Sequence, residues 1–111
     1  MNRTSKIAVL AISTVLIGAS TLSASAETRW ERNHPRRDQV NDRLAHQSWR
    51  INREVREGEL TPWQANALHR EDRAIRGEER VMARFNRGHI TPAEQRALNQ
   101  QENVVSRQIG R

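Results

Sequence analysis

The sequence predicts an all-α fold, either an up-down-up antiparallel three-helix bundle or elongated helical hairpins, built from a helix-turn unit of about 30 residues. Three observations predict it. The phrase GELTPWQ, Gly58 to Gln64, returns thirty residues later as GHITPAE, Gly88 to Glu94. Apolar residues around both phrases recur at spacings of four and seven, the period of an amphipathic helix, without the strict alternation of strands. A leader with the pattern of a cleavable signal precedes them.

That leader is the first element. Arg3 and Lys6 give a positive start, Ile7 to Gly18 is an uncharged apolar core, and Ala24 to Ala26 supply small residues for cleavage before Glu27. Ile7 to Ile17 is shorter than the roughly 20 residues a membrane-spanning helix needs, and Ser13, Thr14, Ser20 and Thr21 interrupt any extension. Residues 1–26 are therefore expected to be a signal peptide, and the processed chain to be exported, periplasmic or secreted, with no transmembrane segment. The chain has no cysteine, so neither a lipid attachment site nor a disulfide framework is available. Residues 27–34 read as a flexible lead-in to a helical domain over 35–111.

The repeated phrase reads as a helix boundary. Gly58 and Gly88 each follow a long periodic segment, at the place where a helix takes a left-handed C′ residue. Arg53 and Arg56 precede the first glycine and Arg84 and Arg87 the second, and their charge suits a helix C-terminus. Thr61 and Thr91 are then expected as N-caps, Pro62 and Pro92 as first helical residues, and Gln64 and Glu94 as the third, a capping box with proline in its favoured slot. The duplication reaches further: Asp42-Arg43 matches Asp72-Arg73, Arg50 matches Arg80, Ile51 matches Val81, Val55 matches Phe85, Leu60 matches Ile90, and Ala67-Leu68 matches Ala97-Leu98.

Three helices follow. The first is expected over about 35–57, with Val40, Leu44, Ile51 and Val55 on one face. The second spans about 62–87 and carries Leu68, Ile75 and Met82, with Phe85 close beside them. The third spans about 92–109 with Leu98, Val105 and Ile109. Gly77 weakens the second helix by about 1 kcal/mol relative to alanine, and an Asp72–Arg76 pair four apart is expected to offset part of that. Trp30, Trp49 and Trp63 fall off these stripes. They are expected to cover the rims of the core, or else Trp49 and Trp63, with Arg50 and Arg80, form a candidate binding or dimer surface.

Composition narrows the function. Beyond residue 26 the chain has 17 arginines, no lysine and 13 acidic residues, a net charge of +4 over 85 residues. Acids are interspersed with the arginines, the pattern of a salt-bridge-laced helix surface rather than of a nucleic-acid arm, so nucleic acid is not an expected partner. Leu, Ile, Val and Phe make up only 14 of those 85 residues. So thin a core predicts either low stability or a homodimer that shares its stripes. No catalytic frame is present: there is no glycine-rich phosphate loop, serine nucleophile motif or recognisable carboxylate pair, and the chain is not expected to be an enzyme or to carry a cofactor. FNRGHITPAE echoes the back half of a calcium loop, but Ala83, Phe85 and Arg87 stand where its first ligands belong. His34, His46, His69 and His89 show no metal-ligand spacing.

LTPWQ, Leu60 to Gln64, resembles the LTxxQ signature of the Spy/CpxP family of periplasmic stress proteins, and ITPAE is a near match. The resemblance implies an exported, cysteine-poor helical protein forming cradle-shaped dimers, acting as a chaperone without ATP or as an inhibitor of an envelope stress sensor. HPRRDQVNDRL, HREDRAIRGEER and LNQQENVVSRQIG are similar to segments of a group of small exported proteobacterial proteins of uncharacterised function. The leading expectation is a periplasmic binding protein with a chaperone-like or stress-related role, its partner a protein client or a second copy. The alternatives are an arginine-rich surface that grips polyanions or the anionic envelope, and a structural oligomerisation partner.

Overall fold

Both Thr-Pro phrases begin helices, for the reason their residues supply. Gln64 N donates to Thr61 Oγ1 at 3.1 Å and Thr61 N donates to Gln64 Oε1 at 2.9 Å. Thr91 and Glu94 make the same reciprocal pair at 3.1 and 2.8 Å. Such a cap contributes about 1 kcal/mol. The computed structural model describes residues 27–110, and the expected signal peptide over 1–26 and the terminal Arg111 lie outside them. In chain order the helices are α1 (Arg29–Asn33), α2 (Pro35–Arg56), α3 (Pro62–Arg84) and α4 (Pro92–Ile109), with no strand among the described residues.

Two compact units meet in sequence after Asn33. In the first, the segment expected as a flexible lead-in holds α1 instead. Thr28 caps it: Glu31 N donates to Thr28 Oγ1 at 3.1 Å and Thr28 N to Glu31 Oε1 at 2.8 Å. Thr-x-x-Glu is a capping box, written a third time without its proline.

The second unit is a three-helix bundle in which α2, α3 and α4 each pack against the other two. Contacts fix its directions. Arg36, at the start of α2, reaches Ile90 O just before α4, and Arg50, near its end, reaches Ser106 near the end of α4. α2 and α4 are therefore parallel. His69 near the start of α3 meets Asn52 near the end of α2, and Glu78 of α3 meets Gln101 of α4, so α3 runs opposite to both.

The two hinges use different residues for the same turn. After α2, Gly58 takes φ 81°; Gly58 N donates to Val55 O at 3.1 Å and Glu59 N to Glu54 O at 2.8 Å. That pair of bonds is a Schellman stop with glycine at C′. After α3 the left-handed residue that follows the helix is Arg87, at φ 58°, and Gly88 at φ 90° comes one position later, its N–H donating to Ala83 O at 2.8 Å. Gly88 thus sits one place beyond the position expected from the repeat. α3 ends at Arg84 rather than Arg87 because Arg87 must turn left-handed for Gly88 to reach Ala83.

The core combines Val40, Leu44 and Ile51 of α2, Ala65, Leu68, Ile75 and Ala83 of α3, Ile90 of the second hinge, and Leu98, Val105 and Ile109 of α4. Val55, Leu60 and Met82 pack against it, partly buried. Phe85 does not join them: it is 85% exposed. The helix ends beside it, and Ile90, 1% exposed, comes back from the hinge to fill the core at that end. Polar residues complete the stripes. Gln47, Glu54, Asp72, Glu79 and Glu102 are all buried, and they occupy the places between the aliphatic residues where a better-filled bundle would continue its apolar seam.

Candidate functional site

Arginines have two fates in this bundle. On α2, Arg36, Arg37, Arg43 and Arg50 are turned toward the neighbouring helices, whereas Arg53 pairs with Glu54 and Glu57 of its own segment and Arg56 is exposed. Arg37 pairs with buried Glu79 and also donates to Gly88 O at 3.1 Å. Arg43 lies 3.9 Å from Glu102 and donates to Asn99 O and Asn103. Arg50 donates to Ser106 Oγ at 2.8 Å, to Ser106 O and to Gly110 O. Arg36, Arg43 and Arg50 follow at intervals of seven, two helical turns, so all three point at α4.

On α3 the opposite holds. Arg70, Arg73, Arg76, Arg80 and Arg84 are separated by three, three, four and four residues, which aligns them on one face over about 21 Å of helix. All five are exposed, and none forms an ion pair among the described residues. The acids of this helix lie elsewhere. Asp72 and Glu79 point into the core, Glu78 accepts from Gln101 Nε2 at 2.8 Å, and Glu71 lines a groove against α4. The expected salt-bridge-laced surface is absent here, and the expected Asp72–Arg76 pair does not form. Interspersion along the chain becomes segregation around the helix, because residues one and two apart point in different directions.

Between α2 and α3 lies an open cleft of about 250 Å³. Asn41, Ala45 and Ser48 form its α2 wall, above Leu44, and His69, Asp72, Arg73 and Arg76 its α3 wall. A 3.0 Å contact between His69 Nε2 and Asn52 Oδ1 ties the two helices together beside His69. Burial, and then the Arg73 charge, lower the His69 pKa, which favours the uncharged ring. Asp72 is buried, and neither of its carboxylate oxygens meets a hydrogen-bond donor among the described residues; the same is true of Asn41 Oδ1. Burial, with the neighbouring Glu71 charge, raises the Asp72 pKa to about 6. Glu102, deeper in the core, is raised to about 8: burial pushes it up most, the Arg43 charge draws it down, and the Asp72 charge adds a smaller rise. Gln47 Nε2 donates to Glu102 O at 2.7 Å, so each helix contributes one polar residue to this layer.

The other flank of α3 is apolar. A groove of about 270 Å³ runs against α4 between Glu71, Ala74 and Ile75 on one side and Gln101, Val104 and Val105 on the other. Trp63, 77% exposed, lines an adjoining hollow with Ala67 and Gln108. Val81, Phe85 and Val104 are exposed as well.

The candidate surface expected from Trp49, Arg50, Trp63 and Arg80 is therefore not one patch. Trp49 stacks on His46, with ring centroids 5.8 Å apart, and lies under Arg53. Arg50 is engaged by α4, Trp63 stands at the first turn of α3, and Arg80 belongs to the arginine row about five turns further on. His34 and His89, far apart in sequence, stack at 4.7 Å at the other end of the bundle. Among the described residues no three His, Asp or Glu side chains gather to hold a metal, and no helix is long and apolar enough to cross a membrane. The Gly, Thr and Pro residues of the repeated phrase lie at helix boundaries, together with Gln64 and Glu94. No protein-family model, curated protein or solved structure matches the chain.

Proposed function

We propose that this is an exported binding protein whose α3 arginine row holds anionic surfaces of the cell envelope. One observation carries the proposal: five exposed arginines share a helix face and have no acidic partner among the described residues. An unpaired guanidinium keeps its planar fork for phosphate or carboxylate, and a row of them sums its attraction, at about 1 kcal/mol per arginine near an anionic bilayer. The test is co-sedimentation of the secreted, processed chain with phosphatidylglycerol vesicles. Binding is expected to be strong at low salt and to weaken steeply as salt screens the row. Replacing Arg73, Arg80 and Arg84 by Gln is expected to weaken it by about five-fold per residue. Equal binding to uncharged phosphatidylcholine vesicles, or no change with salt, would end this reading.

A second reading has its own support. Trp63, Val81, Phe85 and Val104 expose apolar surface along α3 and α4 beside an apolar groove, which suits an unfolded protein client, and the LTPWQ resemblance points the same way. It predicts that the chain suppresses client aggregation without nucleotide and that a Trp63→Ala, Phe85→Ala variant loses the effect.

A further inference from the structure

The α2–α3 cleft joins two groups of opposite demand. Beneath its inner wall lies the Asp72 carboxylate, whose two oxygens are unpartnered and sealed from solvent, on a residue only 6% exposed. Arg73 and Arg76 stand at its mouth with no acid paired to them among the described residues. A bare anion would satisfy the arginines and be repelled by Asp72. A bare amine would satisfy Asp72 and be repelled by the arginines. We propose that the cleft is a binding site for a zwitterion in which a primary ammonium lies next to a phosphate, the phosphoethanolamine group. In it the ammonium donates to Asp72 and Asn41, and the phosphate lies between Arg73 and Arg76.

Several features fit this ligand class. The cleft is smaller than sites for drug-sized molecules, and Ala45 and Ser48 keep its α2 wall low. Asn41 Oδ1 offers a second unpartnered acceptor. Two guanidiniums one turn apart suit a phosphate, which presents more acceptor oxygens than a carboxylate. His69 Nε2 is engaged by Asn52 Oδ1 at 3.0 Å rather than by Asp72. The ordinary cost of burying an ionised carboxylate unpaired is what an incoming ammonium relieves.

This inference builds on the anionic-surface proposal but fails separately from it. The first experiment titrates O-phosphoethanolamine, inorganic phosphate and ethanolamine into the full chain by calorimetry. O-Phosphoethanolamine is expected to bind at least about tenfold tighter than either fragment. Asp72→Asn should abolish that preference while leaving phosphate binding intact, and Arg76→Gln should weaken both phosphate ligands. Ser48→Leu, which fills the cleft without touching its charges, should remove binding of all three; circular dichroism confirms the fold of each variant. The second experiment compares phosphatidylglycerol vesicles with and without phosphatidylethanolamine. An Asp72-dependent gain from phosphatidylethanolamine identifies a lipid headgroup as the source; preference for the soluble ligand alone identifies a free one. Equal affinity for phosphate and O-phosphoethanolamine, or a preference that survives Asp72→Asn, overturns the inference even if the vesicles still bind. Loss of all vesicle binding, with the soluble preference intact, overturns the anionic-surface proposal instead.

Discussion

The sequence repeat aligns α2 with α3, yet the two helices use equivalent residues in opposite ways. Arg43 and Arg73 are equivalent positions of the repeat, as are Arg50 and Arg80. Arg43 and Arg50 bond to α4, whereas Arg73 and Arg80 are exposed and make no ion pair among the described residues. The equivalents of α2's clamps point away from α4 because α3 turns a different side toward it. Duplication supplies two sets of cations. Packing consumes one set and leaves the other free, so arginine content by itself says nothing about binding until each guanidinium has been followed to its partner.

The comparison can be broken at its strongest contact first. Arg37→Ala strands the fully buried Glu79 carboxylate, and urea denaturation should register a loss of about 3 to 5 kcal/mol. If the loss is no larger than for Arg80→Ala, the inward clamps are not what holds α2.

The acids of the same layer give the next effect. Asp72 and Glu102 are raised to about 6 and about 8, from ordinary values of 3.8 and 4.5. The folded chain therefore binds more protons than the unfolded one between those limits. Their contribution to stability is fully present below about pH 4 and is lost as pH rises through about 8, a change on the order of a few kcal/mol. Glu102→Gln should flatten most of that slope in denaturation curves taken at pH 5 and pH 8.

A sharper version of the comparison uses the equivalent pairs. Arg50→Ala removes charge-assisted bonds to α4 and should cost about 1.5 to 3 kcal/mol. Arg80→Ala should stay within about 0.5 kcal/mol while weakening vesicle binding. Smaller than the loss at Arg50, and opposite in sign, is the gain from Arg87→Gly, which relieves a left-handed non-glycine residue and should raise stability by about 1 kcal/mol.

Much of this architecture was legible in the chain. Thr61, Pro62 and Gln64, and their counterparts thirty residues on, carry a purely local signal, since a cap bonds to residues three positions away. The aliphatic stripes were legible for the same reason. What the stripes did not reveal was their filling: Glu79 and Glu102 read as surface residues until the third helix closes over them, and burial of a charge depends on partners far along the chain. Phe85, three residues past Met82, lies well around the helix from the Leu68–Ile75–Met82 seam and so faces solvent although it sits close to them in sequence. The arginine row was available from spacing alone, by counting three and four from Arg70, but the alternating charges in HREDRAIRGEER suggested pairing that the burial of Asp72 and Glu79 removes. The cleft could not be read at all, because Asn41 and Asp72 face each other only after α3 folds back.

The α2 arginines grip main-chain oxygens at Ile90, Asn99, Ser106 and Gly110, and a carbonyl is the one group that every substitution leaves in place. The lateral hold between the two parallel helices therefore survives almost any drift in the outward sequence of α4, and only a proline or a register slip removes it. Evolution is free to rewrite that surface for new partners while the frame beneath it stays shut.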